Sequence, residues 1–271
     1  MSVQLVTDDP ARTSAFKVVL VGQAAAALVF GLAPLLLTAL YAATLGFTGA
    51  DPLVYRLGGA ATTGYAVVAL YALVRGAIWN ELRIPSLATL TFSIGAFGAS
   101  LWEVVAGTRQ PVVVFVVVAG AVFALIAAWF VLRDRRPIER TGPTLTAIER
   151  LIIALATVSA GVFGVLPLLA PAIFAPLFGL AGTDTWVFRL AGAGTLGYAI
   201  GGIAALRTRT YGPLRIQNLA AITFNALGAA AAWVSLLGRD GGWLAPVVAI
   251  AATFFAVTLS IIATRRAGEV S

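Results

Sequence analysis

The chain has 271 residues, 60% of them hydrophobic and only 11% charged, with a formal net charge of +7 and a mean hydropathy of +0.97. Soluble domains carry about 25% charged residues, so this composition points to an integral membrane protein. There is no cysteine and no histidine. Disulfides, Cys/His zinc sites, His-ligated haem and Cys/His or Ser/His/Asp nucleophile systems are thereby excluded, and no catalytic, cofactor-binding or metal-ligating residue is expected.

Taken in chain order, the uncharged runs lie at 18–50, 57–74, 84–102, 110–132, 151–183, 190–206, 216–238 and 241–264. A bilayer core needs roughly 17–25 apolar residues per helix, so six runs supply one crossing each. The two long runs, 18–50 and 151–183, carry Pro34 and Pro167 in mid-run and reach glycine turns at Gly46, Gly49, Gly179 and Gly182. Each is expected to be one helix kinked near its proline and followed by a loop. The predicted fold class is all-α, a polytopic membrane protein of eight transmembrane helices in two parallel four-helix repeats.

Orientation is read from the loops. The termini and the segments near 75–83, 133–150 and 207–215 hold 14 basic residues, and the other side holds four, Arg56, Arg109, Arg189 and Arg239. Basic loops stay inside, so both termini are expected in the cytoplasm. The charge lies in short loops on alternate sides of the runs, which gives no reason to expect a nucleic-acid partner. Seventeen of the 18 basic residues are arginine, and with abundant alanine this suggests a GC-rich bacterial source and its plasma membrane. The six tryptophans, Trp79, Trp102, Trp129, Trp186, Trp233 and Trp243, fall near run ends, where indole rings anchor at headgroups.

The chain repeats itself. "DPLVYRLGGAATTGYA" at 51–66 returns as "DTWVFRLAGAGTLGYA" at 184–199, and residues 30–66 match 163–199 at 19 of 37 positions. A second block, "LRIPSLATLTF" against "LRIQNLAAITF", matches at seven of eleven. This predicts a four-helix membrane repeat at 16–132 and another at 149–264. A cytoplasmic segment at 1–15, a basic linker at 133–148 and a tail at 265–271 complete the chain. Because each repeat makes four crossings, the two run in the same direction and are expected to be related by an axis along the membrane normal.

A four-helix unit whose second helix opens on "YRLGG" or "FRLAG" resembles the DoxX-like group of small bacterial membrane proteins and related families. The resemblance implies the four-helix fold, here in tandem. The redox or thiol chemistry linked to some of those relatives has no counterpart in a chain without Cys or His.

A few polar residues stand out against this background. Asp51 precedes Pro52 and Asp184 precedes Thr185, the pattern of a helix N-cap and first turn. Arg56 and Arg189 follow in the first turns, where the helix dipole disfavours a cation. They are expected either to bond free carbonyls at the end of the preceding helix or to receive an anionic ligand. Gly59 and Gly64, with Gly192 and Gly197, offer close helix contact. Tyr65 and Tyr198 are expected to pack with bonded hydroxyls, Arg83 and Arg215 to anchor at the inner surface, and Glu103 to lie at a solvated helix end. The expected function is that of a non-enzymatic structural or accessory membrane component. The alternative is a binding protein or carrier for an anionic lipid or small apolar molecule, using Arg56 and Arg189. The partners in view are the lipid bilayer, such a lipid or apolar ligand, and another membrane protein.

Overall fold

The computed structural model describes residues 9, 11, 13–134 and 137–267. Most of the amino-terminal segment 1–15, Arg135 and Arg136 of the basic linker, and residues 268–271 of the tail therefore lie outside the described residues. The described residues form ten helices: α1 (Ser14–Leu36), α2 (Thr38–Leu45), α3 (Pro52–Arg75), α4 (Trp79–Val105), α5 (Pro111–Arg133), α6 (Ala147–Leu169), α7 (Pro171–Leu177), α8 (Thr185–Thr208), α9 (Arg215–Gly238) and α10 (Leu244–Ala267). All but α2 and α7 are long and apolar enough to cross a membrane, which makes eight candidate spans.

The two long runs are not simply kinked. α1 stops at Leu36 and α6 at Leu169, each two residues past its proline, and a short second helix begins after one non-helical residue, Leu37 or Ala170. The break has a local cause in each case. Pro171 has no N–H to continue the ladder and pushes Ala170 out of helical geometry, to φ −135°, ψ 56°. In the first run the Thr38 hydroxyl bonds the Pro34 carbonyl at 2.7 Å, an alternative to the backbone ladder. The glycine turns form as expected, with Gly46, Gly49, Gly179 and Gly182 all in the left-handed region at φ 67–75°.

Sequence neighbours are not always spatial neighbours. α1 packs along α3 and α6 along α8; α5 packs on α4 and α10 on α9. Consecutive α3 and α4, however, barely touch: α3 lies against α8 and α9, and α4 lies against α8. The segments 16–132 and 149–264 are thus interleaved rather than packed as two separate four-helix bundles. The central α3 and α8 are the most buried spans although they are among the least apolar, while the very apolar α5 is the least buried. In lipid, association is driven by close packing of small residues, so Gly/Ala/Thr-rich helices go to the centre. Gly59 and Gly192 show why. A Cβ on Gly59 would sit 2.5 Å from the Gly31 carbonyl oxygen, and one on Gly192 would sit 2.6 Å from that of Gly164.

Two ends of the bundle can be distinguished. The glycine-loop end holds segments 46–51, 106–110, 178–184 and 239–243; the linker end holds 76–78, 134, 137–146 and 209–214. At the linker end Thr146 and Glu149 form a capping box that starts α6, and Arg266 of α10 grips the Glu149 carboxylate through two nitrogens, at 2.9 and 2.6 Å. Arg83 donates to the Asp134 carbonyl and Arg215 pairs with Glu81 at 2.8 Å. The two expected surface anchors therefore also tie this end together.

Candidate functional site

The aspartates do not cap their own helices. Neither Asp51 nor Asp184 makes a side-chain bond to the helix it precedes. Instead, Asp51 accepts from the Ala181 and Gly182 amides, both at 2.8 Å. Asp184 accepts from the Thr48 amide at 3.0 Å, the Gly49 amide at 2.9 Å, the Thr48 hydroxyl at 2.8 Å and the Tyr55 hydroxyl at 2.7 Å. The reason lies in the opposing loops. Left-handed Gly49 and Gly182 turn consecutive N–H groups toward one point, a ready anion nest. Each carboxylate fills the nest presented by the other half of the chain, and both are buried.

The arginines likewise reach across. Arg189 of α8 pairs with Glu103 of α4, which also accepts from the Thr185 hydroxyl at 3.0 Å, and its guanidinium lies over the Trp102 ring at 5.5 Å. Arg56 of α3 donates to the Ser235 hydroxyl of α9 at 2.8 Å and lies 3.6 Å from Asp240. Neither arginine closes its own hairpin onto backbone carbonyls, because α9 and α4, not the preceding helices, present the acceptors. Glu103 is not a solvated helix end either; its side chain is only 13% exposed, and it lies 132 residues before Ser235, the partner of the other arginine. That shared spacing was the signal available in the sequence.

Deeper in the bundle, Tyr65 donates to the Gly194 carbonyl and Tyr198 to the Ala61 carbonyl, both at 2.8 Å. Gly64 and Gly197 make room for these hydroxyls: a Cβ on Gly64 would overlap the Tyr198 oxygen, and one on Gly197 that of Tyr65. Trp79 and Trp186 are buried rather than anchored at a membrane surface; Trp186 stacks on Phe47 and donates to Ser100 at 2.8 Å. The other four tryptophans are exposed.

Two cavities flank this centre. The first, of about 170 Å³, lies between α1/α3 and α4/α5, and Val187, Leu190 and Ala191 of α8 contribute to its wall. The second, of about 140 Å³, lies between α6/α8 and α9/α10, and Val54 and Leu57 of α3 contribute to its wall. The first of them occupies the space between α3 and α4, which stand apart. Many lining positions correspond at a spacing of 132 or 133 residues, including Phe30 and Phe163, Pro34 and Pro167, Tyr65 and Tyr198, and Phe92 and Phe224. No charged side chain lines either cavity, and Arg56 and Arg189 reach neither. Among the described residues, no three carboxylates converge to form a metal site.

No family model, curated protein or solved structure matches the chain. The chemistry of the site is therefore carried by these residues alone.

Proposed function

We propose that this protein is a non-enzymatic membrane component that holds small, neutral, largely apolar molecules in two cavities. The observation that carries this reading is the pair of uncharged cavities at corresponding positions in the two halves of the chain. Ligand sites in helical bundles lie between helices and combine apolar walls with a few polar groups. An anionic headgroup is not favoured in these two cavities, because neither is lined by a cation and Arg56 and Arg189 are engaged with Ser235, Asp240 and Glu103 outside them. In this reading the arginines and aspartates are cross-braces that hold the two halves in register.

The internal sequence match supports a duplicated four-helix unit with an axis along the membrane normal, as in the DoxX-like resemblance. The basic linker end supports an inner bacterial membrane with both termini in the cytoplasm. The test is an organic extract of the purified protein, compared by mass spectrometry with a variant carrying Ala119→Phe and Ala251→Phe, one substitution in each cavity wall. A neutral apolar molecule present with the native chain and absent from the variant is the expected result. Identical extracts would overturn the reading. They would favour a purely structural or accessory role, for which the satisfied charges of the glycine-loop end are the supporting observation.

A further inference from the structure

The two cavities differ in their polar lining: the second holds Gln217, Asn218 and Asn225, and of these Asn218 donates to the Tyr211 hydroxyl and the Leu259 carbonyl and Asn225 to the Ala221 carbonyl. Gln217, in the first turn of α9, lines the second cavity and is 4% exposed, yet its carboxamide has no hydrogen-bond partner among the described residues. Its amide atoms open onto the cavity, where no described group bonds them, so a polar group of a bound molecule can take that place. Its position is built rather than accidental. The carboxamide lies against α8, where a Cβ on Gly201 would sit 2.6 Å from Nε2 and displace it from this position. In the first half the position of Gly201 is Val68 and that of Gln217 is Pro85, by the same 133- and 132-residue spacings. The only carboxamide lining the first cavity, Gln23, already donates to the Thr89 hydroxyl at 3.1 Å.

We infer that the second cavity is specific for a neutral amphiphile, an apolar body ending in a hydroxyl that exchanges hydrogen bonds with the Gln217 carboxamide. This rests on the cavity-binding reading above. A carboxamide both donates and accepts, so it suits a group that does the same and carries no charge. The absence of charged lining residues argues in the same direction. The geometry orients the ligand: Gln217 sits toward the linker end beside Leu214 and Leu259, while Phe163 and Phe174 line the opposite part of the cavity. A cavity of about 140 Å³ matches a single ring or a short branched segment; a cavity of about 150 Å³ is known to hold benzene. Ser159, Ala160, Val247 and Ala251, all partly exposed, border the cavity from α6 and α10, which places an entrance on the side of the bundle. A membrane-dissolved ligand would enter there with its apolar end still in lipid.

The experiment is a fluorine NMR titration of the full chain in neutral-lipid nanodiscs with two probes, 4-fluorobenzyl alcohol and 4-fluorotoluene. The native chain is expected to bind the alcohol at least tenfold more tightly than the toluene. Gln217→Met should reduce the alcohol to the affinity of the toluene, leave the toluene unchanged and leave the melting temperature of the empty protein equal or higher. Gln217→Leu carries the same expectation should the methionine variant fail to fold. Equal binding of both probes, or loss of both together with a lower melting temperature, would overturn the inference. If in that case Ala251→Phe still removed probe binding, the cavity reading would stand. Binding indifferent to both Ala119→Phe and Ala251→Phe would overturn the two together.

Discussion

Tyr65 and Tyr198 exchange hydroxyls: each donates at 2.8 Å to a carbonyl of the helix that carries the other, and their rings lie 4.9 Å apart. The exchange joins α3 to α8 near the buried middle of the bundle, between the two cavities that the same tyrosines help to line. Each carbonyl belongs to a helix, so the tyrosine bond is additional to the backbone ladder. Tyr65→Phe and Tyr198→Phe should each cost about 0.6 kcal/mol, the mean for polar contacts between membrane helices. Because both hydroxyls brace the same α3–α8 contact, the double variant should depart from additivity by about 0.5 kcal/mol. Chemical denaturation in a mixed micelle measures both quantities, and strict additivity would show that the tyrosines act independently.

The two aspartates should not be equivalent. Asp184 accepts four hydrogen bonds and Asp51 two. Hydrogen bonds to charged groups contribute roughly 1.5–3 kcal/mol each before overlap, and removal strands the donors. Asp184→Ala should therefore destabilise by about 3–5 kcal/mol and Asp51→Ala by about 2–3 kcal/mol. Thermal unfolding followed by circular dichroism ranks them; equal losses would remove the nest argument.

A similar asymmetry separates the arginines. Arg189 and Glu103 are 14% and 13% exposed, whereas Asp240, beside Arg56, is 37% exposed. Breaking a buried pair leaves an uncompensated charge and costs roughly 3–5 kcal/mol, while exposed pairs contribute about 0–1 kcal/mol. Lying between these limits, Arg189→Gln is expected to cost about 2–3 kcal/mol and Arg56→Gln about 1 kcal/mol. Adding Glu103→Gln to Arg189→Gln should recover part of the loss, because the stranded carboxylate is removed. A double variant less stable than Arg189→Gln alone would refute the pairing.

Topology is tested by single cysteines in a chain that has none. A cysteine at Gly49, in the glycine-loop end, should react with an impermeant thiol reagent applied to intact cells, and one at Arg140, in the linker, should not. The reverse pattern would invert the orientation drawn from the basic loops.

The sequence by itself determined the elements. Charge-bounded apolar runs located the eight spans, because a bilayer imposes their length and polarity residue by residue. Gly46, Gly49, Gly179 and Gly182 marked the turns, since positive φ is a local requirement of the backbone. Gly59 and Gly192 marked the packing face of the central helices for the same kind of reason, the absence of a side chain. The tertiary structure alone decided where each polar group goes. Asp51 beside Pro52 carries every local sign of an N-cap, yet a nest 130 residues away offers it two N–H groups at once. Arg189 finds Glu103, and α3 leaves α4 for α8 and α9, because partners within the bundle are chosen by geometry in three dimensions and not by distance along the chain. The cavities follow from that choice. Gln217 is legible in the sequence only as a polar residue opposite Pro85 in the repeat; its isolation against Gly201 exists only once α8 and α9 have been placed around the same space.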